Sequence, residues 1–518
     1  MESIKALADF MADNRAKLLE QVLEHIGLTL VSLLLAALIA IPAGIFISRK
    51  QQLSGSVLGL AGILQTIPSI ALLGFLIPFM GIGIQPAIFA LFLYALLPIL
   101  RNTYTGIQGV APEVREAGRG IGLTPGQLLR KVELPLALPV IFAGLRTATV
   151  INVGVATLAA YIGAGGLGEF IFGGIALNNG NMIMAGALPA ALLAISFDQL
   201  LAVFQKMKAS TLKRLVRPLL LVLPLLSTAY FWPGAYAPGW KGGFPPEFMG
   251  RPDGYENVVS AYGLDFNTTI LNNALMYRAV YEKEVDVISG YSTDGRIKAY
   301  DLAILEDDRH AFPPYYCTPI LKESTCNAHP ELVRTLALLE GAIDDAAMTA
   351  MNYRVDFDKL SPEEVARDFL KEKGLWKPDK KEGGETIVLA SKIFTEQYIL
   401  VEIFAQLING HTELDVSVKP GLGGTKICFD ALRAGEVDVY AEYTGTGLQV
   451  LLDTPKEKVR EIIADKDAVY EYVRQAFAEQ YDIRWLAPLG FNNTYALMMR
   501  NEQARRLGIE KIGDLTQE

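Results

Sequence analysis

Long apolar stretches fill the chain as far as Trp232, and short ones follow. A bilayer crossing takes roughly 20 apolar residues. The pattern predicts spans near Ile26–Ser48, Val57–Ile82, Gln85–Leu100, Pro135–Ile162, Met182–Phe204 and Pro218–Trp232, the third being short. The residues before the first span are charged and amphipathic, which marks a retained span rather than a cleaved signal. From about Lys241 the period changes. Short apolar runs alternate with amphipathic helices, as in the strands TIVLAS at Thr386 and DVSVKP at Asp415 with a helix from Glu396 to Asn409 between them, and this is the pattern of an α/β domain.

Charge sharpens the division. Of the 518 residues 51% are hydrophobic; the part up to Trp240 has net charge +6 and the remainder −15. Neither part has the basic face that nucleic-acid binding requires. Lys and Arg are absent from Gln51–Leu100 and Thr147–Gln205. They gather at Arg49 and Lys50, at Arg101, Arg115, Arg119, Arg130 and Lys131, and at Lys206, Lys208, Lys213, Arg214 and Arg217. These three connecting segments fall on one side of the membrane, which the positive-inside rule makes cytoplasmic, so the α/β part faces outward. Asp198 sits inside the fifth span and either serves function or bonds to a neighbouring helix near the cytoplasmic end, the second being preferred. Cys317, Cys326 and Cys428 have no metal-type spacing, though a Cys317–Cys326 bridge is open; His25, His310, His329 and His411 are scattered and read as surface or cap residues.

The connection between the third and fourth spans, with its loop at residues 111–135, reads EVREAGRGIGLTPGQLLRKVELPLALP from Glu113 to Pro139. Glu116, Ala117, Gly118, Gly122, Val132, Leu134 and Pro135 fall at the intervals of the EAA loop, so this part resembles the permeases of ABC importers and implies an all-α, MetI-like membrane core of about six spans. In that family the loop is helix, glycine turn and helix, and it docks on a cytoplasmic ATPase. Gly122 permits the turn and Pro135 suits a helix start; Gly118 replaces the usual alanine. A basic loop lying on anionic lipid is the plainer alternative. The phosphate-cradling pattern Gly-x-x-x-x-Gly-Lys-Ser/Thr is absent, so the chain is not itself the ATPase; ATP and Mg belong to a partner subunit. The glycine-rich run Gly163–Gly174 is similar to the extracytoplasmic loop that such permeases place at the axis of a dimer.

SKIFTEQ (Ser391–Gln397), GLGGT (Gly421–Thr425), GEVDVYAEYTGT (Gly435–Thr446), PLGFNNTYAL (Pro488–Leu497), EFMGRPDGY (Glu247–Tyr255), DVISGYSTDGRI (Asp286–Ile297) and DDRHAFPPYY (Asp307–Tyr316) resemble the two-lobed periplasmic binding proteins of osmoprotectant importers, which carry glycine betaine, carnitine or choline. Their order differs from the family's. The late motifs occupy 241–376 and the early ones 386–518, joined by the polar stretch 377–385, KPDKKEGGE. Circular permutation accounts for this, with the new ends beside each other in the second lobe and the halves pairing within one chain rather than swapping across a dimer.

A trimethylammonium group has no N–H donor and is held by aromatic faces. The resemblance assigns that cage to Tyr291, Tyr315, Tyr443 and Tyr495, with Tyr470 a doubtful fifth, and gives the ligand's polar end to Gln397, at a helix start, and to Thr446. An isolated tyrosine is more often a core residue, and Tyr316, Tyr398 and Tyr440 are read so. Glu396 reads as a helix-start carboxylate. No nucleophile with a base is apparent. The expectation is therefore an importer subunit for a small quaternary-ammonium solute, acting as a permease homodimer with an ATPase partner. The alternatives are ergothioneine import, a non-transporting ligand sensor, for which an EAA loop has no use, and a membrane-anchored enzyme.

Overall fold

The computed structural model describes residues 2–207 and 239–516, apart from Pro252, Asp265, 380–382 and Asp453. The expected sixth span at Pro218–Trp232, the basic residues Lys208, Lys213, Arg214 and Arg217, and the middle of the 377–385 linker lie outside the described residues. The chain forms two compact units, one comprising most residues up to Met207, the other most of those from Gly239 onward.

The first unit is helical. Among the described residues four helices are long and apolar enough to cross a membrane: Arg15–Arg49, Ile84–Gln108, Pro125–Ile162 and Gly180–Lys206. The second expected span is instead broken into Gln51–Thr66 and Ser69–Met80, bent by 95°. Pro68 has no N–H and drives Ile67 to an extended backbone (ψ 127°), so the helix stops there. The third is longer than expected. Asn102 and Thr103 return hydrogen bonds to the carbonyls of Pro98 and Ile99, each at 2.8 Å, which lets polar residues continue the helix. The fourth runs back without interruption to Pro125, through a widened turn at Leu129–Glu133 that accommodates Pro135. Small residues bring the helices together: a Cβ on Gly44 would lie 2.7 Å from Thr103, and one on Gly144 2.6 Å from Asn102. His25 is fully buried with its Nε2 3.0 Å from the Val153 carbonyl, not on the surface as expected.

The second unit contains two mixed sheets. One has the order β2 (Asn267–Ile270), β1 (Lys241–Phe244), β3 (Val287–Tyr291), β10 (Tyr495–Arg500), β4 (Leu302–Ile304). The other has β7 (Asp415–Gly423), β6 (Thr386–Lys392), β8 (Val439–Tyr443), β5 (Cys317–Lys322), β9 (Ile483–Trp485). Each sheet borrows one strand from the far part of the sequence. β10 enters the first, antiparallel to β3 and β4, and β5 enters the second, antiparallel to β8 and β9. The chain therefore crosses between sheets twice, at 305–316 and 486–494. The crossings run side by side: Tyr316 bridges Asn492, the Asn493 N–H donates to the Tyr315 carbonyl at 3.1 Å, and the Asn492 side chain accepts from the Tyr315 N–H at 2.7 Å. Helix Thr395–His411 is buried along most of its length and packs on β6 and β7. At the start of this unit the Trp240 indole donates to the carbonyl of Leu515 at 3.0 Å. Cys317, Cys326 and Cys428 are all buried free thiols, so the Cys317–Cys326 bridge is not formed.

Candidate functional site

Four of the motif tyrosines come from strand ends and a crossing. Tyr291 closes β3, Tyr495 opens β10 directly opposite it, Tyr443 closes β8, and Tyr315 lies in the 305–316 crossing. Glycines make the approach possible. A Cβ on Gly445 would lie 2.7 Å from the Tyr315 ring, which ties EYTGT to FPPYY.

The rings form one continuous aromatic run. Tyr315 meets Tyr495 edge-on at 5.7 Å, Tyr495 stacks on Tyr291 at 5.2 Å, Tyr291 stacks on Phe394 at 5.4 Å, and Phe394 lies nearly parallel to Tyr443 at 6.4 Å. Phe394 was missed by sequence reasoning, although it sits inside SKIFTEQ; an aromatic residue immediately before a helix start was the available signal. Tyr470 stands apart, its hydroxyl bonded to the Leu486 carbonyl at 3.0 Å and its ring against a separate core. Tyr440 is fully buried, as read, with its hydroxyl on Glu442.

Two buried cations flank the run. Arg251 forms a two-pronged ion pair with Asp253, touches Glu247 at 3.1 Å, donates to the Thr446 hydroxyl at 2.9 Å and lies 5.4 Å from the Tyr495 ring centre. Burial opposes its charge, yet its neighbours, Asp253 foremost and Glu247 with it, together outweigh burial and raise its pKa, so it stays cationic. Asp253 also accepts from the Tyr315 hydroxyl at 2.7 Å. Lys392 pairs with Glu442 and lies 5.0 Å from the Tyr443 ring centre. Neither cation was singled out from sequence, although both lie inside quoted motifs.

Gln397 is fully engaged. Its amide nitrogen donates to the Ala441 carbonyl and the Tyr443 hydroxyl, both at 3.0 Å, and its oxygen accepts from the Lys392 N–H at 3.3 Å. It positions Tyr443 and the end of β8. Glu396 is more than a helix-start carboxylate. Only 2% exposed, it accepts from Tyr443 Oη (2.6 Å), Thr293 Oγ1 (2.7 Å), Asn493 Nδ2 (2.8 Å) and Asn352 Nδ2 (3.3 Å). Burial raises its pKa while these donors hold it down. Burial and Glu396 push the Tyr443 phenol well up, and burial with Asp253 does the same for Tyr315, so the rings stay neutral.

The helical unit carries the second candidate site. Helix Pro112–Gly120 ends at a turn where Gly122 has φ +82°, a left-handed backbone that favours glycine. Thr124 then caps the next helix, with Gln127 closing the box. Glu116 and Ala117 are exposed, whereas Pro135 is half-buried in the following helix. A Cβ on Gly118 would lie 2.6 Å from Leu128 Cδ1, so an alanine here would require the end of the Leu128 side chain to shift. The fully buried Glu133, unremarked in the sequence, anchors the loop by pairing with Arg49 and Arg115. Asp198 takes a two-pronged bond from Arg146, at 2.7 and 2.8 Å, which joins neighbouring helices. Among the described residues no group of acidic, His or Cys side chains could hold a metal ion.

Comparison with known sequences matches both units. The family described as substrate binding domain of ABC-type glycine betaine transport system matches residues 234–372 and 385–518. The family of binding-protein-dependent transport system inner membrane components matches residues 36–214. Similar relatives include the choline transport system permease protein OpuBB of Bacillus subtilis, 48% identical over 200 residues, which are 39% of this chain and 92% of that protein. The osmoprotectant import permease protein OsmW of Salmonella typhimurium is 50% identical over 197 residues, covering 37% and 92%. The glycine betaine/carnitine/choline transport system permease protein OpuCB of Bacillus subtilis is 47% identical over 197 residues, covering 38% and 91%.

Proposed function

Because the chain belongs to the ABC-type glycine betaine transport family, joining its substrate-binding domain to a binding-protein-dependent inner membrane component, we propose that it is the capturing and membrane-crossing subunit of an importer for a small quaternary-ammonium solute. It is a multi-pass membrane protein of a transport family, not an enzyme family. The observation that carries the solute class is the aromatic run Tyr315–Tyr495–Tyr291–Phe394–Tyr443. Such faces attract a trimethylammonium group, which cannot be hydrogen-bonded. The printed names of the relatives concern choline, carnitine and glycine betaine, and none of those three concerns ergothioneine.

Solute is captured outside the cell between the two sheets, where Thr446 and Arg251 are available to a polar end group and Gln397 sets the pose of Tyr443. A separate ATPase docks on the loop bearing Glu116, Ala117 and Gly122. Its closure is passed through Pro135 and the helix beyond to a permease homodimer, which alternates access. The reading of the second unit as a circular permutation, paired within one chain, is supported by the contact of Trp240 with Leu515 at its two ends and by the exchange of β5 and β10 between sheets.

ATP-dependent uptake into vesicles holding this chain and its ATPase tests the function. Labelled choline, glycine betaine or carnitine should accumulate, and Gly122→Val should stop uptake without affecting solute binding. Failure of all three solutes to accumulate would contradict the proposal.

A further inference from the structure

Beside the aromatic run lies a small cleft walled by Tyr291 and Phe394 on its apolar side. Its polar side holds the carboxylates of Glu396, Asp294 and Asp356 against a single cation, Arg296. Arg296 is already spent on Asp294, through bonds of 2.9 and 2.6 Å. Asp356 accepts from the Thr395 hydroxyl at 2.7 Å and feels Arg296 and Lys359 only through their fields, whereas Glu396 accepts from four neutral donors. The contrast with Asp253 and Glu442 is direct, since each of those has a buried cation of its own. Among the described lining residues, three carboxylates thus face one arginine, and Glu396 has no ion-pair partner of its own.

A second observation concerns hydrogen bonding. Asn352 and Asn493 line the cleft and are 3% and 4% exposed, and the Oδ1 of each is buried without a partner. Asn273, also in the wall, has the same unmet oxygen. A buried acceptor without a donor is costly, so the cleft is short of donors as well as of positive charge. An inorganic cation is not favoured, because the carboxylates do not converge as a metal site among the described residues.

Building on the reading of the aromatic run as a quaternary-ammonium site, we propose that this cleft selects the solute by net charge, with Glu396 as the counter-charge. The solute it takes is a cation bearing a hydroxyl or other donor, of the choline kind, in preference to a zwitterion ending in a carboxylate. Both Glu396 oxygens are occupied, so Glu396 acts on the solute through its field and by holding Tyr443, while the free asparagine oxygens receive the donor. A terminal carboxylate entering the same cleft meets an excess of like charge and the unmet asparagine oxygens.

Equilibrium binding of choline and of glycine betaine to the full chain in detergent tests this. Choline should bind at least about tenfold tighter, and Glu396→Gln should lower the ratio of choline to glycine betaine affinity about tenfold. Equal affinities in the parent protein, or an equal loss for both solutes in Glu396→Gln, would overturn the proposal. If Glu396→Gln does not fold, Asp356→Asn, at another carboxylate of the same cleft, decides: a selective loss of choline supports the proposal, and no change in the choline to glycine betaine ratio overturns it. If neither solute binds the parent protein, the quaternary-ammonium reading itself fails, which is a different result from binding without preference.

Discussion

The Pro112–Glu133 loop of the helical unit, proposed to dock the ATPase, and the aromatic run of the α/β unit present opposite designs. The loop is one contiguous stretch, Pro112 to Glu133, whose candidate contact residues Glu116 and Ala117 are exposed and whose shape depends on backbone features, Gly122 and the Thr124 cap. The aromatic run draws on five separated segments, is buried at Tyr315, Tyr443 and Tyr495 and half-buried at Tyr291 and Phe394, and is flanked by Arg251 and Lys392, each paired with a carboxylate. Changes in the loop should therefore alter function with little effect on stability, whereas changes around the run should alter both.

The largest effect is expected at Arg251. Arg251→Ala would leave Asp253 buried without its cation, and loss of one partner of such a pair costs about 3–5 kcal/mol. Chemical unfolding of the α/β unit followed within the full chain should show it, together with loss of solute binding. A variant as stable as the parent would break the contrast between the two sites.

Next comes Glu169, within the glycine-rich run Gly163–Gly174 of the helical unit. Burial pushes its carboxyl up to about 7, with Lys17 opposing, and Gln21 donates to it at 2.5 Å. An acid whose pKa is raised on folding favours the folded state at low pH and loses that contribution as pH rises from about 4.5 towards 7. The helical unit should therefore melt at a lower temperature at pH 8 than at pH 5, by up to about 3 kcal/mol of stability from this group. Glu169→Gln should flatten the dependence.

Smaller effects separate the tyrosines. Tyr443→Phe keeps the ring but removes a hydroxyl that links Glu396 and Gln397, and should weaken solute binding by about 1–2 kcal/mol. Tyr470→Phe loses a bond to a carbonyl away from the run and should leave affinity unchanged in a titration. The smallest change in stability belongs to Glu116→Lys. It should not shift the melting temperature, yet should abolish solute-stimulated ATP hydrolysis by the assembled transporter.

The two designs also explain what could be read from the sequence. The loop was legible because its signals are local: a glycine at a fixed interval, a capping residue, a proline. The four tyrosines were found only inside motifs, and the run they form depends on β10 crossing to β3, which no local pattern specifies. Glu133, Arg146, Arg251 and Lys392 escaped notice because a charged residue looks the same in sequence whether it is solvated or buried against a partner far along the chain. The expected continuous second span failed for a local reason, Pro68, whose missing N–H was outweighed in the reading by uniform hydropathy. His25 was misplaced because its partner is the carbonyl of Val153, invisible to any side-chain pattern.

The central claim is that aromatic faces capture a quaternary ammonium by its charge. The most direct measurement compares binding of choline to the full chain with binding of its uncharged isostere, in which carbon replaces nitrogen. The two have the same shape and hydroxyl, so burial of apolar surface contributes alike to both, and only the cation gains from the rings and from Glu396. Choline should bind at least about tenfold tighter. Equal binding of the two would contradict the account.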